Sequence, residues 1–342
     1  MVKPFEDKYG TFVPSVERGQ ISSPTHASAP GIESSQLHAD YTLEKGIELY
    51  QIRKFPEAVK TLQTALELYR SSQNLLGEGR SLGALGLAYY ALRNYGEAIA
   101  CSHQSLAIAR QVLDRLTERQ TLANLGNSYR HLEDYGRSVE YNQQSLAVAR
   151  EIHDYRGEMA ALNNLGMTYK AMGDGLHAIH CYQRALIVAR NLQDYTTEGQ
   201  VLRNLGNAYH AIGNYPQTIA CYEQLLGIVR QLPGRETEMQ ALKNLASACY
   251  TVGDVRKAIA YQEQRLTLAR QLQDRHSEEQ ILENLAVAYE GLGNTSQSIR
   301  YYEQRLAVVR QLADRQLEQE TLVSLQAAYR AIGDDAKATQ YQ

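Results

Sequence analysis

Leu122, Leu125, Gly126 and Tyr129 stand at i, i+3, i+4 and i+7, the spacing of one face of an α-helix. The same face returns every 40 residues without slippage. A small residue holds one column at Gly46, Gly86, Gly126, Gly166, Gly206, Ala246 and Ala286, before Gln326 breaks it. Leucine precedes that column from Leu85 to Leu325, and a second leucine column runs from Leu82 to Leu322. Tyrosine follows it three residues later at Tyr89, Tyr129, Tyr169, Tyr209, Tyr289 and Tyr329, with Cys249 as the exception. The small residue is expected to let a neighbouring helix approach closely.

Each of these helices is predicted to end at a turn such as "AIGNYPQ". Gly213 suits the left-handed residue after a helix end, Asn214 can cap the next helix, and Gln217 completes a pattern like a capping box. Asn94 with Glu97 and Asn294 with Gln297 repeat it. A second helix follows, as in "AIACYEQLLGIVR", and stops near Asp114, Asp154, Asp194, Gly234, Asp274 or Asp314. Each unit is then a helix hairpin with apolar faces that need a neighbour, and stacked units make an all-α solenoid. Eight units fit residues 37–342, the last incomplete. Residues 1–36 hold four of the seven prolines and the tract "SSPTHASAPGIESS", with no periodicity, and are expected to be a disordered tail. The eighth unit stops inside its second helix without a polar cap, so that end is expected to be a homo-oligomer contact or a truncation.

Composition narrows the function. The chain has 342 residues, with 35 Lys and Arg against 38 Asp and Glu. A nearly balanced charge argues against nucleic acid, whose affinity comes mainly from neutralising phosphates. No window approaches 18 consecutive apolar residues, so no membrane span is expected, and "MVKPFEDKYG" is not a secretory signal. Of the four cysteines, Cys101, Cys181 and Cys221 fall in one column, where Tyr141, Tyr261 and Tyr301 stand in other units. A place that accepts Cys or Tyr is a packing place, which reads as reduced thiols in a cytoplasmic protein.

The pattern Leu-Gly-x-x-Tyr, with alanine twelve residues after the glycine (Ala58, Ala98, Ala178, Ala258, Ala338), resembles the tetratricopeptide repeat. The 40-residue unit, with "NLGNAY" and "SLAIARQVLDR", is similar to the subclass in LGN/Pins-type polarity adaptors and in bacterial, notably cyanobacterial, repeat proteins. The resemblance covers about residues 37–342. It implies an α-solenoid, a right-handed superhelix of stacked antiparallel helix hairpins with a concave groove lined by the first helices.

Repeats carry their own control, since a residue kept in every unit serves stacking. Glu78, Glu118, Glu158, Glu198, Glu238, Glu278 and Glu318 are unbroken, as are Arg70, Arg110, Arg150, Arg190, Arg230, Arg270 and Arg310. Each Arg ends a second helix and each Glu opens the next, where their charges suit the helix dipoles. The eight-residue gap lets them pair across the turn. Asparagine behaves differently. Asn124, Asn164, Asn204, Asn244 and Asn284 occupy the middle units, while Glu44, Ala84 and Ser324 replace them at the ends. By the resemblance, this face lines the groove, together with Gln120, Asn127, Arg130 and His131. A carboxamide offers two donors and an acceptor, enough to hold the main chain of an extended peptide. With packed helices roughly 8–10 Å apart and an extended chain rising about 3.3 Å per residue, one Asn per repeat would meet roughly every third peptide residue. The alternative is a ladder that bonds only between first helices and fixes their curvature.

Arg130, Lys170, Arg203 and Lys243 make the middle of that face basic, and Glu283, Glu290 and Glu320 make its C-terminal end acidic. A partly acidic protein segment is the expected ligand. A chaperone-type carboxylate clamp is matched by Arg203, Asn207 and Asn244, but Gln280 and Asn284 stand where the clamp is basic. The catalytic and cofactor readings are weak. Gly77, Gly79 and Gly83 lack a dinucleotide-site spacing. His177, His180 and Cys181 share one helix face at metal-like spacing, but the set occurs once and Cys181 is in a packing column. The expectation is a non-enzymatic adaptor without metal or cofactor. The alternatives are a regulatory receptor that changes shape on binding a peptide or protein tail, or an architectural oligomeric subunit.

Overall fold

The computed structural model describes residues 30–231 and 234–341, with side chains from residue 35. Its regular structure is helical throughout. The first eight helices are α1 (Pro30–Gln51), α2 (Phe55–Ser71), α3 (Leu75–Ala91), α4 (Tyr95–Gln111), α5 (Arg115–His131), α6 (Tyr135–Glu151), α7 (Tyr155–Ala171) and α8 (Gly175–Asn191). Then follow α9 (Tyr195–Ala211), α10 (Tyr215–Val229), α11 (Glu236–Thr251), α12 (Val255–Gln271), α13 (Arg275–Gly291), α14 (Thr295–Leu312), α15 (Arg315–Ala331) and α16 (Asp335–Gln340). Odd-numbered helices are the first of each hairpin and even-numbered ones the second. The tail expected over 1–36 falls mostly outside the described residues. Where it does not, α1 is already running, opened by Pro30, whose missing N–H costs nothing in a first helical turn.

Two compact units divide the chain inside α9, between Asn204 and Leu205. In the N-terminal unit α1 to α8 pack each on the next, and alternate first helices also touch: α1 with α3, α3 with α5, α5 with α7. In the C-terminal unit α10 to α16 pack each on the next. There, no comparable approach of α11 to α13 or α13 to α15 is seen among the described residues. The cores are the predicted columns. Leu82, Leu85, Leu122 and Leu125 are buried in the first unit, Leu282, Leu285 and Leu325 in the second. Each fully buried leucine contributes about 1.5–3 kcal/mol.

Short turns keep the hairpins antiparallel. Asn94, Asn214 and Asn294 accept the backbone N–H of Glu97, Gln217 and Gln297, as the capping pattern predicts. Asp114, Asp154, Asp274 and Asp314, read as second-helix ends, prove to be the N-caps of the helices that follow. The left-handed turn residue is glycine at Gly173, Gly213, Gly253, Gly293 and Gly333, but Arg53, Arg93, Leu113, Glu133 and His153 hold the same conformation elsewhere. The expected close approach is present. A Cβ added at Gly126 would meet the Asn142 amide at 2.3 Å, and one at Gly166 would meet the Tyr182 ring at 2.5 Å.

The Arg and Glu columns pair across every hinge. Arg70–Glu78, Arg110–Glu118, Arg190–Glu198 and Arg310–Glu318 lie at 2.8 Å, Arg150–Glu158 and Arg270–Glu278 at 2.7 Å, and Arg230–Glu238 at 3.1 Å. The same arginines reach a glutamine on the next second helix: Arg70 to Gln104, Arg110 to Gln144, Arg230 to Gln264 and Arg270 to Gln304. Burial pushes the Glu278 carboxyl up, but hydrogen bonds from Arg270 and Arg275 outweigh it and hold the group below its usual range.

Inside the hairpins one pair of places varies in a complementary way. Ser105 Oγ donates to the Gly79 carbonyl at 2.7 Å, and Ser145 Oγ to the Arg119 carbonyl at 3.0 Å. In the α13–α14 hairpin the same places hold Glu279 and Arg305. The Arg305 guanidinium is buried, with Nε donating to Glu279 Oε1 at 2.7 Å and Nη2 lying 3.3 Å from Glu283 Oε2.

Candidate functional site

The asparagine column is not equally exposed along its length. Asn124 on α5 is 6% exposed and Asn164 on α7 only 1%, and α5 and α7 are themselves in contact. Asn204 and Asn244 are half-buried, and Asn284 is exposed. Burial thus relaxes along the column from Asn164 to Asn284.

Sealing these amides has not satisfied them. In the N-terminal unit Asn127 Oδ1 on α5 and Asn164 Oδ1 on α7 are buried with no hydrogen-bond partner among the described residues. Arg130 Nε on α5 is in the same condition. Arg130 also lies close enough to the Tyr182 hydroxyl to oppose the rise that burial imposes on its pKa. Tyr182 packs on Gly166, two residues beyond Asn164. Two acceptor oxygens and the Arg130 Nε therefore lie on α5 and α7 without partners, each orphan costing about 1–3 kcal/mol. Arg130 Nη2 reaches His131 Nε2 at 3.5 Å.

Asn163, which sequence reasoning passed over, belongs to the same face. Its Oδ1 accepts Asn204 Nδ2 at 3.0 Å, an amide bridge between α7 and α9. The doubled asparagine of "NNLG" was the available signal. Arg119 was also missed. It is buried with its Nε 2.9 Å from Asp154 Oδ2, and desolvation lowers its pKa against the pull of that carboxylate. His131 bonds Tyr90 Oη at 2.9 Å and stacks on Tyr95, so it serves the hairpin edge. Lys170 is exposed and Arg203 half-buried.

The C-terminal unit treats its members differently. Asn207 Oδ1 accepts the Tyr222 hydroxyl at 2.6 Å, and Asn244 Oδ1 accepts Gln240 Nε2 at 2.9 Å. Lys243, Glu290 and Glu320 are exposed, and Glu283 is drawn towards Arg305. The His177–His180–Cys181 set does not converge. His177 Nδ1 pairs with Asp174 at 2.7 Å, His180 is exposed and Cys181 is buried in the core. Burial raises the thiol pKa of Cys101 to about 11, and that of Cys181 and Cys249 in the same direction.

Matches to the tetratricopeptide repeat cover residues 42–111, 78–151, 117–191 and 197–271, with a further one over 281–316. The chain belongs to the tetratricopeptide repeat family. No curated protein sequence matches it. Among solved structures, a signal-transduction ATPase of the STAND class with a tetratricopeptide repeat sensor, from Pyrococcus horikoshii, aligns with a TM-score of 0.61 at 17% identity. That alignment covers 90% of this chain but only 46% of the ATPase. The apo form of RapI aligns with a TM-score of 0.57 at 13% identity, over 81% of this chain and 99% of RapI. A Rap protein complexed with Competence and Sporulation Factor gives 0.51 at 14% identity, over 93% and 90%. At these identities the likeness is one of fold. No described helix is long and apolar enough to cross a membrane.

Proposed function

We propose that this tetratricopeptide repeat protein is a non-enzymatic interaction module that holds an extended, partly acidic segment of another protein on its first-helix face. The observation that carries this reading is the unpartnered trio in the N-terminal unit: Asn127 Oδ1, Asn164 Oδ1 and Arg130 Nε. Two acceptors ask for N–H donors, which a peptide main chain supplies, and a guanidinium asks for a carboxylate. Lys170, exposed on α7, adds charge that steers an acidic segment. Reduced, buried thiols fit a cytoplasmic site of action. Asn204, in the same unit, would extend the contact.

The test is binding of the full chain to synthetic extended peptides of about a dozen residues, one series with Asp or Glu at the centre and one neutral. Acidic peptides should bind better, more so at low salt, and Asn127→Ala with Asn164→Ala should weaken them roughly tenfold or more. Equal binding of both series, or unchanged binding by a variant that keeps its thermal stability, overturns the proposal.

The same trio favours a second reading, a receptor that changes shape. Its polar atoms are closed off, so a ligand reaches them only if the α5–α7 face opens. A Rap protein of similar fold is known complexed with Competence and Sporulation Factor, and the quorum sensor NprR from B. thuringiensis shares the fold at a TM-score of 0.54. A change in small-angle scattering on adding the acidic peptide separates receptor from passive adaptor.

A further inference from the structure

One place inside the hairpins varies in a way that stacking does not explain. It is the second-helix residue that lies against the small-residue column: Ser102 on Gly86, Asn142 on Gly126, Tyr182 on Gly166 and Tyr222 on Gly206. Gln262 and Tyr302 hold the same place in later hairpins. Tyrosine is long enough to cross the hairpin here: the Tyr222 hydroxyl donates to Asn207 Oδ1 on the first helix at 2.6 Å. The three shorter polar residues do not cross. Ser102 Oγ, Asn142 Oδ1 and Gln262 Oε1 are all buried with no hydrogen-bond partner among the described residues.

Among the described residues, only the α5–α6 hairpin sets a second buried, unpaired oxygen at the opposing place. Asn127 and Asn142 are the counterparts of Asn207 and Tyr222, fifteen residues apart in both hairpins. Ser102 and Gln262 have Leu87 and Ser247 at that place instead. Asn142 Nδ2 donates to the Ser138 carbonyl at 2.9 Å, which fixes its Oδ1 as the free end of the amide. Asn127 Oδ1 is equally unpaired, and both residues are buried. No hydrogen bond among the described residues takes the place of the missing tyrosine hydroxyl.

The chemistry that would answer this pair is narrow. Two acceptors ask for two N–H donors on one group, and a primary carboxamide carries them on a single nitrogen. A hydroxyl has one donor and would leave an oxygen bare. A cation is opposed, since neither amide is bonded to a carboxylate among the described residues and a buried charge without a counter-ion is costly. Arg130, one helical turn beyond Asn127, repels it further. Asn142 lies deep within the hairpin, which favours the longer stem of glutamine over that of asparagine.

We propose that Asn127 and Asn142 form a subsite for a glutamine side chain of the bound segment, whose NH2 group donates one N–H to each oxygen. This rests on the peptide reading above and deepens it, naming the side chain that anchors a segment whose acidic groups answer Arg130 and Lys170.

Calorimetric titration of the full chain tests it, using acidic-centred peptides of about a dozen residues with a single Gln walked through their positions. Each is compared with peptides carrying at that position Met, of similar shape but without side-chain N–H donors, or Lys. At one position Gln should bind roughly tenfold or more tighter than Met, since unpaired buried acceptors reject an analogue that lacks the donors. Asn142→Tyr should bring the two peptides to equal affinity while keeping or raising the thermal midpoint, because its hydroxyl supplies Asn127 as Tyr222 supplies Asn207. Should that variant fail to fold, Asn142→Leu, which keeps the volume and removes the oxygen, should narrow the gap in the same direction. Gln and Met bound equally at every position overturns the inference and leaves the peptide reading standing, with water bridging the two oxygens instead. A preference for Lys, or a Gln preference that survives in a folded Asn142→Tyr chain, also overturns it. If no acidic peptide binds at all, both readings fall.

Discussion

Two sites, one in each unit, bury polar side chains in opposite ways, although each unit holds both kinds. Arg119 meets Asp154 in the N-terminal unit, and Arg265 Nε is buried without a partner among the described residues in the C-terminal one. In the C-terminal unit the Arg305 guanidinium lies inside the α13–α14 hairpin and is met by Glu279 and Glu283. In the N-terminal unit the amides of Asn127 and Asn164 lie on the first-helix face, and their oxygens meet nothing. A buried polar group with its partner supplied by the same hairpin belongs to the scaffold. One left without a partner, on a face where units differ, is where a ligand has something to add.

The largest effect that could break this contrast comes from Glu279→Ala. It strands a buried guanidinium and should cost about 3–5 kcal/mol, read as a lower denaturant midpoint, with no change in peptide affinity of the folded protein. A loss below about 1 kcal/mol, within the range of an exposed pair, would show that Arg305 finds water instead. Next comes Asn164→Leu, which removes an unsatisfied acceptor. It should be neutral or stabilising by about 1 kcal/mol, whereas Asn284→Leu on the exposed end should stay within about 0.5 kcal/mol. If Asn164→Leu unfolds the chain, its amide is structural and the lesson fails.

The smallest and most diffuse effect is acid. The Glu278 and Asp274 carboxyls are held below their usual range, Glu278 by Arg270 and Arg275 and Asp274 chiefly by hydrogen bonds from Ser277. A depressed folded-state pKa gives stability that is full above the unfolded values of about 4, and lost as pH falls through the lower folded ones. Thermal melts should therefore decline below about pH 4. Glu278→Gln should flatten that decline, since hinges and caps, not the amide face, carry the titration.

Much of the scaffold was legible because a 40-residue register repeats every local signal. The hairpins follow from Leu125, Gly126 and Tyr129 and their copies, and the hinge pairs follow from an eight-residue gap between Arg110 and Glu118. What the register could not give is depth. Whether Asn164 faces solvent depends on how closely α5 and α7 approach, which is set by packing in three dimensions and not by period. The bridge from Asn163 to Asn204 lies one residue off the column, so reading down columns missed it. Left-handed turns at Leu113 and Glu133 escaped because only a glycine, Gly213, was read as a left-handed residue, and the stack holds these side-chain-bearing residues in the same conformation. The exchange of Ser105 and Gly79 for Arg305 and Glu279 shows only when places 26 residues apart are read together.

The clasp of Arg70 with Glu78 and Gln104, repeated at Arg110, Arg230 and Arg270, has an evolutionary corollary. Each of these four joints presents the same socket to whatever follows it. Unequal crossing-over that drops or duplicates a whole forty-residue cassette leaves each socket filled, while any other length leaves an arginine facing the wrong neighbour. Lineages of such a gene should therefore change length in whole steps.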